Sequence, residues 1–460
     1  MAVDNWGAQN AKFWLGKVKT LLVVVLLAGF AYPILTAKMK ATPYEGRQKI
    51  KFWHRWGGEW EKVVFDIAKE FNESQTEYEV VPMFVTGTGS ETKFILSATG
   101  GDPCDVMSIW NGGLAPLAAA DLLTPLESLM TPEELKYFQT VPYPSVRESG
   151  QFKGKTYGIT IGADLFGYYV NADHLREAGL DPDQPPKTFS ELVAMGKKLE
   201  KRDPKGNLVR MGLNVASLQT HCYAYGPGFW DDKKKELRLN TPDMVEALTA
   251  MVEQRKSVGF QNAQRFWASQ NTGSSTGAWP FIDGAVSITY DGQWRVEEIR
   301  KYKPNMDYRV WPIPPPEGGR PLPGSIGGNY MIIPAAAKNK KGAFEWLKFW
   351  SGLTQPNRAA KFENWGGWLP LSPDVAHSPT YEGYVKQNPR FQTFIDILDG
   401  PNCHAYPPVG YLAYLLDELQ RAEDTALRGS KTPKQALDEL DANIKKELKK
   451  RKEMGFDDSL

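Results

Sequence analysis

KIKFWHRWGGEWEKVVFDIAKEFNESQTEYEVVPMFVTGTGSETKFILSATGGDPCDVMSIW, residues 49–110, is the stretch whose reading decides the fold. Residues 49–54 alternate in polarity with Ile50 and Phe52 on one side, the period of a half-buried strand. After the turn Arg55-Trp56-Gly57-Gly58, the residues Trp60, Val63, Val64, Ile67, Ala68 and Phe71 recur at helical spacing, an amphipathic helix lying on a sheet. A second strand follows at 78–83, a polar loop at 86–90, a second helix at 91–98 and a third strand at 105–109. The order β-α-β-α-β predicts an α/β fold with a mostly parallel sheet and right-handed crossovers. In such a sheet ligands bind beyond the carboxyl ends of the strands. Those ends are Trp56-Gly57-Gly58, the hydroxyl-rich loop at 86–90 with Thr88, and Trp110-Asn111-Gly112-Gly113.

A second stretch, FIDGAVSITYDGQW at 281–294, reads as a buried strand closed by a tight turn at Asp291-Gly292. The turn presents Asp291, Gln293 and Trp294 together: a carboxylate, an amide and a large flat face. Between the two stretches, residues 154–171 form two extended runs with Asp164 near their junction. Helix starts are marked by the capping box Thr188-Phe-Ser-Glu191 and by Thr241-Pro242. Residues 310–328, crowded with proline and glycine, cross as a non-helical segment, and Trp365-Gly366-Gly367-Trp368 offers another Trp/Gly turn. The C-terminal part is helical, with Leu412, Leu415, Leu416 and Leu419 on one apolar face and Leu437, Leu440, Ile444 and Leu448 on another. The basic run 449–452 falls at the end of the last helix, where cations suit the macrodipole.

At 460 residues the chain exceeds one ordinary hydrophobic core, so two globular lobes are expected. Fifty-five basic against 54 acidic residues leave a net charge of +1, no field for nucleic acid or an anionic surface. The three cysteines, Cys104, Cys222 and Cys403, are far apart and lack metal-ligand spacing; at most one intrachain disulfide is possible, and no metal or cofactor is expected. Fifteen tryptophans are the unusual count, because tryptophan serves as core anchor or stacking surface. The uncharged run LLVVVLLAGFAYPILTA at 21–37, flanked by lysines, reads as an export signal or membrane anchor, without a lipid-accepting cysteine.

Taken in order, KIKFWHRWGGEW, GDPCDVM, GKTYGITIGADLFGYYVNADHLREAGLDPDQPPKTFSEL, FIDGAVSITYDGQW, GSIGGNYMIIP, GAFEWLKFWSG, GGWLPLSPD and PPVGYLAYLLDELQ resemble the extracellular solute-binding proteins of ABC importers, in their maltose-binding-protein-like, sugar-binding group. The resemblance covers nearly all of 48–450 and implies a two-lobed periplasmic-binding-protein fold with a ligand cleft between the lobes. The N-terminal segment with its linker is 1–48, one lobe 49–164 with 293–328, the other 165–292 with 329–460. Crossings are implied near 163–166, 289–293 and 327–331. Carried over by position, the implied ligand-binding residues are Trp56, Thr88, Trp110, Asn111, Asp164, Asp291, Trp294, Gly328, Trp368 and Tyr411. The implied partners are a carbohydrate and membrane permease subunits; the implied state is an extracytoplasmic monomer, exported or anchored through 21–37.

Chemistry gives the sugar reading separate support. A pyranose has an apolar C–H face that stacks on indole and a fringe of hydroxyls that Asp, Asn and Gln satisfy. An anionic ligand calls instead for Arg, Lys or helix N-termini, and no basic cluster accompanies these strand ends. The alternatives are a receptor for another polar solute such as a glycerol phosphate, a ligand-loaded sensor of a membrane receptor, and an exported glycosidase using Asp164 and Asp291 across the cleft. No nucleophile motif, metal constellation or phosphate loop supports catalysis, and the expectation is a binding protein rather than an enzyme.

Overall fold

Strand Gln48–His54 pairs in parallel with Tyr78–Phe84 along its whole length and with Val106–Trp110 at Phe52 and Trp53. This is the β-α-β-α-β unit read from the sequence, with helices Glu59–Ser74 and Ser90–Thr99 as crossovers. The computed structural model describes residues 43–86, 89–270 and 279–456; the apolar run at 21–37 and Thr88 lie outside them. Residues Gln48–Leu460 make one compact unit. In the other unit, Met1–Arg47, the described residues form a turn with the Arg47 guanidinium 4.7 Å over the Tyr44 ring. Helix Glu59–Ser74 buries Val64, Ile67, Ala68 and Phe71, the stripe its spacing predicts.

The first sheet is mixed rather than mostly parallel. Its order is Tyr78–Phe84, Gln48–His54, Val106–Trp110, Gly327–Ile332, Gly158–Asp164, and the fourth strand runs antiparallel to both neighbours. The second sheet runs Tyr308–Trp311, Phe166–Asn171, Val286–Gly292, Leu208–Asn214, Lys201–Arg202. Only Leu208–Asn214 lies parallel to Val286–Gly292. A single residue, Leu165, separates the last strand of the first sheet from Phe166–Asn171 of the second. Two segments sort differently from the expected boundaries. Tyr308–Trp311 hydrogen-bonds into the second sheet although the sequence reading places 293–328 in the first lobe, and Gly327–Ile332 lies wholly in the first sheet. The reason is pairing: each strand finds its partners in a sheet already begun, not in its chain neighbours.

Local signals account for the helix ends. Thr188 Oγ accepts from Glu191 N–H, while the Glu191 carboxylate reaches one residue further back, to Lys187 N–H at 2.7 Å. Thr432 and Gln435 form a complete reciprocal box opening Pro433–Glu453. Helices Leu412–Leu427 and Pro433–Glu453 bury Leu412, Leu415, Leu419, Leu437, Leu440 and Ile444 against one another and against Pro242–Val258. The three cysteines are free, and burial pushes the thiols of Cys104 and Cys403 up to about 12 and about 11. No helix of the described residues is long and apolar enough to cross a membrane.

Candidate functional site

A cavity of ≈ 500 Å³ opens where strand ends of both sheets converge, the carboxyl ends of Val106–Trp110, Gly158–Asp164 and Val286–Gly292 and the amino ends of Phe166–Asn171 and Gly327–Ile332. The first sheet contributes Arg55, Trp56, Trp110, Asp164 and Asn329; the second contributes Phe166, Tyr290 and Trp294. The segment after Leu208–Asn214 adds Ser217 and, from the short helix Leu218–His221, Gln219 and Thr220, and the C-terminal loop adds Tyr406.

Glycines set the aromatic walls. A Cβ on Gly112 would lie 1.8 Å from the Trp110 ring, and one on Gly292 would lie 2.1 Å from the Trp294 ring. Each indole therefore folds flat over a glycine two residues away, a close approach that any side chain there forbids. Trp110 meets Tyr406 edge-on at 5.4 Å. Phe166 stacks on Tyr290 and receives Trp294 on its edge, both at 5.4 Å. Trp368 uses the same device, lying over Gly366, but faces inward. It is 3 % exposed, packed on Trp56 at 5.3 Å and Trp350 at 5.8 Å, and it closes on Gly162, where an added Cβ would lie 2.8 Å from its indole. The backbone pairing of Leu369 with Ala163 holds it there. Trp56 belongs to both settings: it stacks on Trp350 at 5.5 Å and shows its remaining surface to the cavity.

The polar groups are few. Asp164 Oδ1 accepts from Gln293 Nε2 at 2.7 Å. Burial raises its carboxyl to about 6, a rise limited by that hydrogen bond and by the Arg55 charge. Arg55 makes no ion pair among the described residues. Gln219 Nε2 donates to the Tyr406 hydroxyl. The short helix Leu218–His221 that carries Gln219 and Thr220 is fixed from behind, because the buried Glu423 carboxylate accepts from Leu218 N–H at 2.8 Å.

Of the residues named from the sequence, Trp56, Trp110, Asp164 and Trp294 line the cavity together. Asp291 does not: its Oδ2 accepts from Arg295 Nε at 2.9 Å and its Oδ1 from Gly292 N–H. Asn111 is 3 % exposed and donates to Ile326 O at 3.1 Å. Gly328 shapes the wall from behind, with φ +135° and its α-carbon too close to Gly162 O and Ala163 for a Cβ; its neighbours Gly327 and Asn329 line the cavity. Tyr411 is buried among the C-terminal helices, with Arg451 over its ring at 5.8 Å, and Tyr406 supplies the aromatic wall instead. Thr88 lies outside the described residues. Phe166, Tyr290 and Arg55 sit inside stretches the sequence singled out, whereas Ser217, Gln219, Thr220 and Tyr406 carry no local signal of their own.

Among solved structures, the chain is similar to CpMnBP1 with mannotriose bound: TM-score 0.74, 23% identity, covering 86% of this chain and 99% of that one. It is also similar to the cyclic alpha-maltosyl-1,6-maltose binding protein from Arthrobacter globiformis, with TM-score 0.68, 21% identity and coverage of 86% and 97%. Among curated relatives, the sn-glycerol-3-phosphate-binding periplasmic protein UgpB of Salmonella typhimurium is 24% identical over 412 residues, 85% of this chain and 90% of that protein. UgpB of Escherichia coli (strain K12) is 24% identical over 406 residues, with the same coverage. The family model for bacterial extracellular solute-binding proteins matches residues 62–352, and the chain belongs to that family.

Proposed function

We propose that the chain is the substrate-binding component of an ABC importer, capturing an oligosaccharide in the ≈ 500 Å³ cavity and delivering it to permease subunits. The observation that carries this is the wall itself: three tryptophans, a phenylalanine and two tyrosines around a sparse set of hydroxyl, amide and carboxyl groups. That is the complement of a pyranose, apolar on its faces and hydroxylated on its rim. In this reading each sheet anchors one lobe, and the protein acts as a monomer on the outer side of the cytoplasmic membrane, exported or anchored through 21–37. It binds without turnover: Asp291 is occupied by Arg295, so among the described residues Asp164 is the one carboxylate on the wall, whereas glycoside hydrolysis uses a pair.

Arg55 favours a second reading, a glycerol phosphate ligand, since it brings to the wall a guanidinium that makes no ion pair among the described residues. Against it, Asp164 shares the cavity and repels an anion once ionised. Calorimetric titration of the purified protein with mannotriose, maltotriose and sn-glycerol 3-phosphate separates the two. Heat from an oligosaccharide alone supports the first reading; heat from the phosphate alone overturns it.

A further inference from the structure

Gln293 is fully buried at the point where the chain passes from the first sheet to the second. Its backbone N–H donates to Leu165 O at 3.0 Å, and its Oε1 accepts from Leu165 N–H at 3.1 Å. Its Nε2 donates to Asp164 Oδ1 at 2.7 Å and to Ala163 O at 3.4 Å. Chemistry fixes the orientation of this amide. The atom facing the Leu165 N–H has to be an acceptor, and the atom facing the Ala163 carbonyl has to be a donor. Asp164 Oδ1 therefore always meets an N–H, and a proton on this carboxyl resides on Oδ2. Oδ2 makes no hydrogen bond among the described residues, while Asp164 lines the cavity.

We propose that Gln293 is a positioning residue of the solute site: by occupying Oδ1 it leaves Oδ2 as the atom offered to the ligand, and it selects a solute that presents a hydroxyl donor there. The inference rests on the reading of the cavity as the solute site. Among the described residues, the Arg55 guanidinium and the Tyr406 hydroxyl share the cavity with Asp164; both can donate, and neither hydrogen-bonds Oδ2. Because Gln293 also joins both crossing segments through Leu165, any change in that crossing moves Asp164 with it.

The test follows the Asp164 carboxyl by carbon-13 NMR in full-length protein with labelled aspartate, D164N assigning the signal. Gln293→Leu removes the donor and should raise the Asp164 midpoint by about one pH unit, since the lost bond favoured the ionised form. In the unmodified protein the Gln293 side-chain amide protons should shift with the same midpoint as Asp164, a readout that needs no variant to fold. An unchanged midpoint in a folded variant, or amide protons that ignore the Asp164 titration, overturns the assignment. Mannotriose, maltotriose and cellotriose are titrated in parallel. Gln293→Leu should weaken whichever binds by about tenfold at pH 7.5, the order of one hydrogen bond to a charged group. If none of the three binds the unmodified protein, the oligosaccharide reading fails, and the NMR result still decides on Gln293.

Discussion

Trp294→Ala and Trp368→Ala should separate cleanly, although the sequence presents both as tryptophans beside glycine. Trp368 is 3 % exposed and packs against Trp56, Trp350 and the backbone of the crossing strand at Gly162. Burying an indole removes about 200 Å² from water, worth about 5 kcal/mol at 25 cal/mol per Å². Truncation in a site that cannot collapse costs about 3–5 kcal/mol. Trp294 is only partly buried, rests on Gly292 and one edge of Phe166, and shows its other face to the cavity. Its removal should leave the melting temperature within a few degrees but lower oligosaccharide affinity by roughly 30-fold, the equivalent of about 2 kcal/mol. Calorimetric melting and titration on both variants give the four numbers needed. Equal loss of stability in the two, or unchanged affinity in Trp294→Ala, would refute the division of tryptophans into core and wall.

Other outcomes follow from the same contacts. Gly328→Ala should destabilise the fold by more than about 2 kcal/mol, because its Cβ would lie 2.7 Å from Gly162 O at φ +135°; circular dichroism melting checks this. The Asp164 carboxyl titrates at about 6 in the folded chain against a usual 3.8, so the fold binds the extra proton between those values. Stability from this group thus rises as pH falls from 6 to 4, while affinity for a hydroxyl donor is greatest above 6 and falls below it, a divergence read by melting and titration across pH 4–8. Glu423 is raised to about 7 by burial, so Glu423→Gln, which keeps an acceptor for Leu218 N–H, should raise the melting temperature at pH 8 and leave it unchanged at pH 5. Closure of the two lobes over a bound solute about the crossings at 163–166 and 289–293 predicts a smaller radius of gyration by small-angle scattering with saturating oligosaccharide; an unchanged radius would rule that closure out.

The elements with strong periodicity were legible in the sequence, because burial acts on them locally: the helix Glu59–Ser74, the three leading strands and the C-terminal helices follow their apolar spacing. The place of Gly327–Ile332 was not, since an antiparallel strand inserted between Val106–Trp110 and Gly158–Asp164 depends on partners more than 150 residues away along the chain, a separation that local pattern does not encode. The site divides in the same way. Trp110 and Trp294 announce themselves through the glycine two residues away that lets each indole lie flat. Trp368 carries an identical signal and turns inward, because the pairing of Leu369 with Ala163 decides which side faces the cavity. Asp291 looked like a ligand carboxylate until Arg295, one helical turn on, took it up. Gln219 and Thr220 reach the wall only because Glu423, some 200 residues later, holds their helix in place.

The most direct test is a crystal structure of the chain with whichever of mannotriose or maltotriose binds more tightly by titration. The expected result is a pyranose face against Trp110 or Trp294 with a sugar hydroxyl on Asp164 Oδ2, inside the cavity walled by Tyr290 and Tyr406. A sugar bound elsewhere, or one held in the cavity with Asp164 and both indoles untouched, would contradict the central claim.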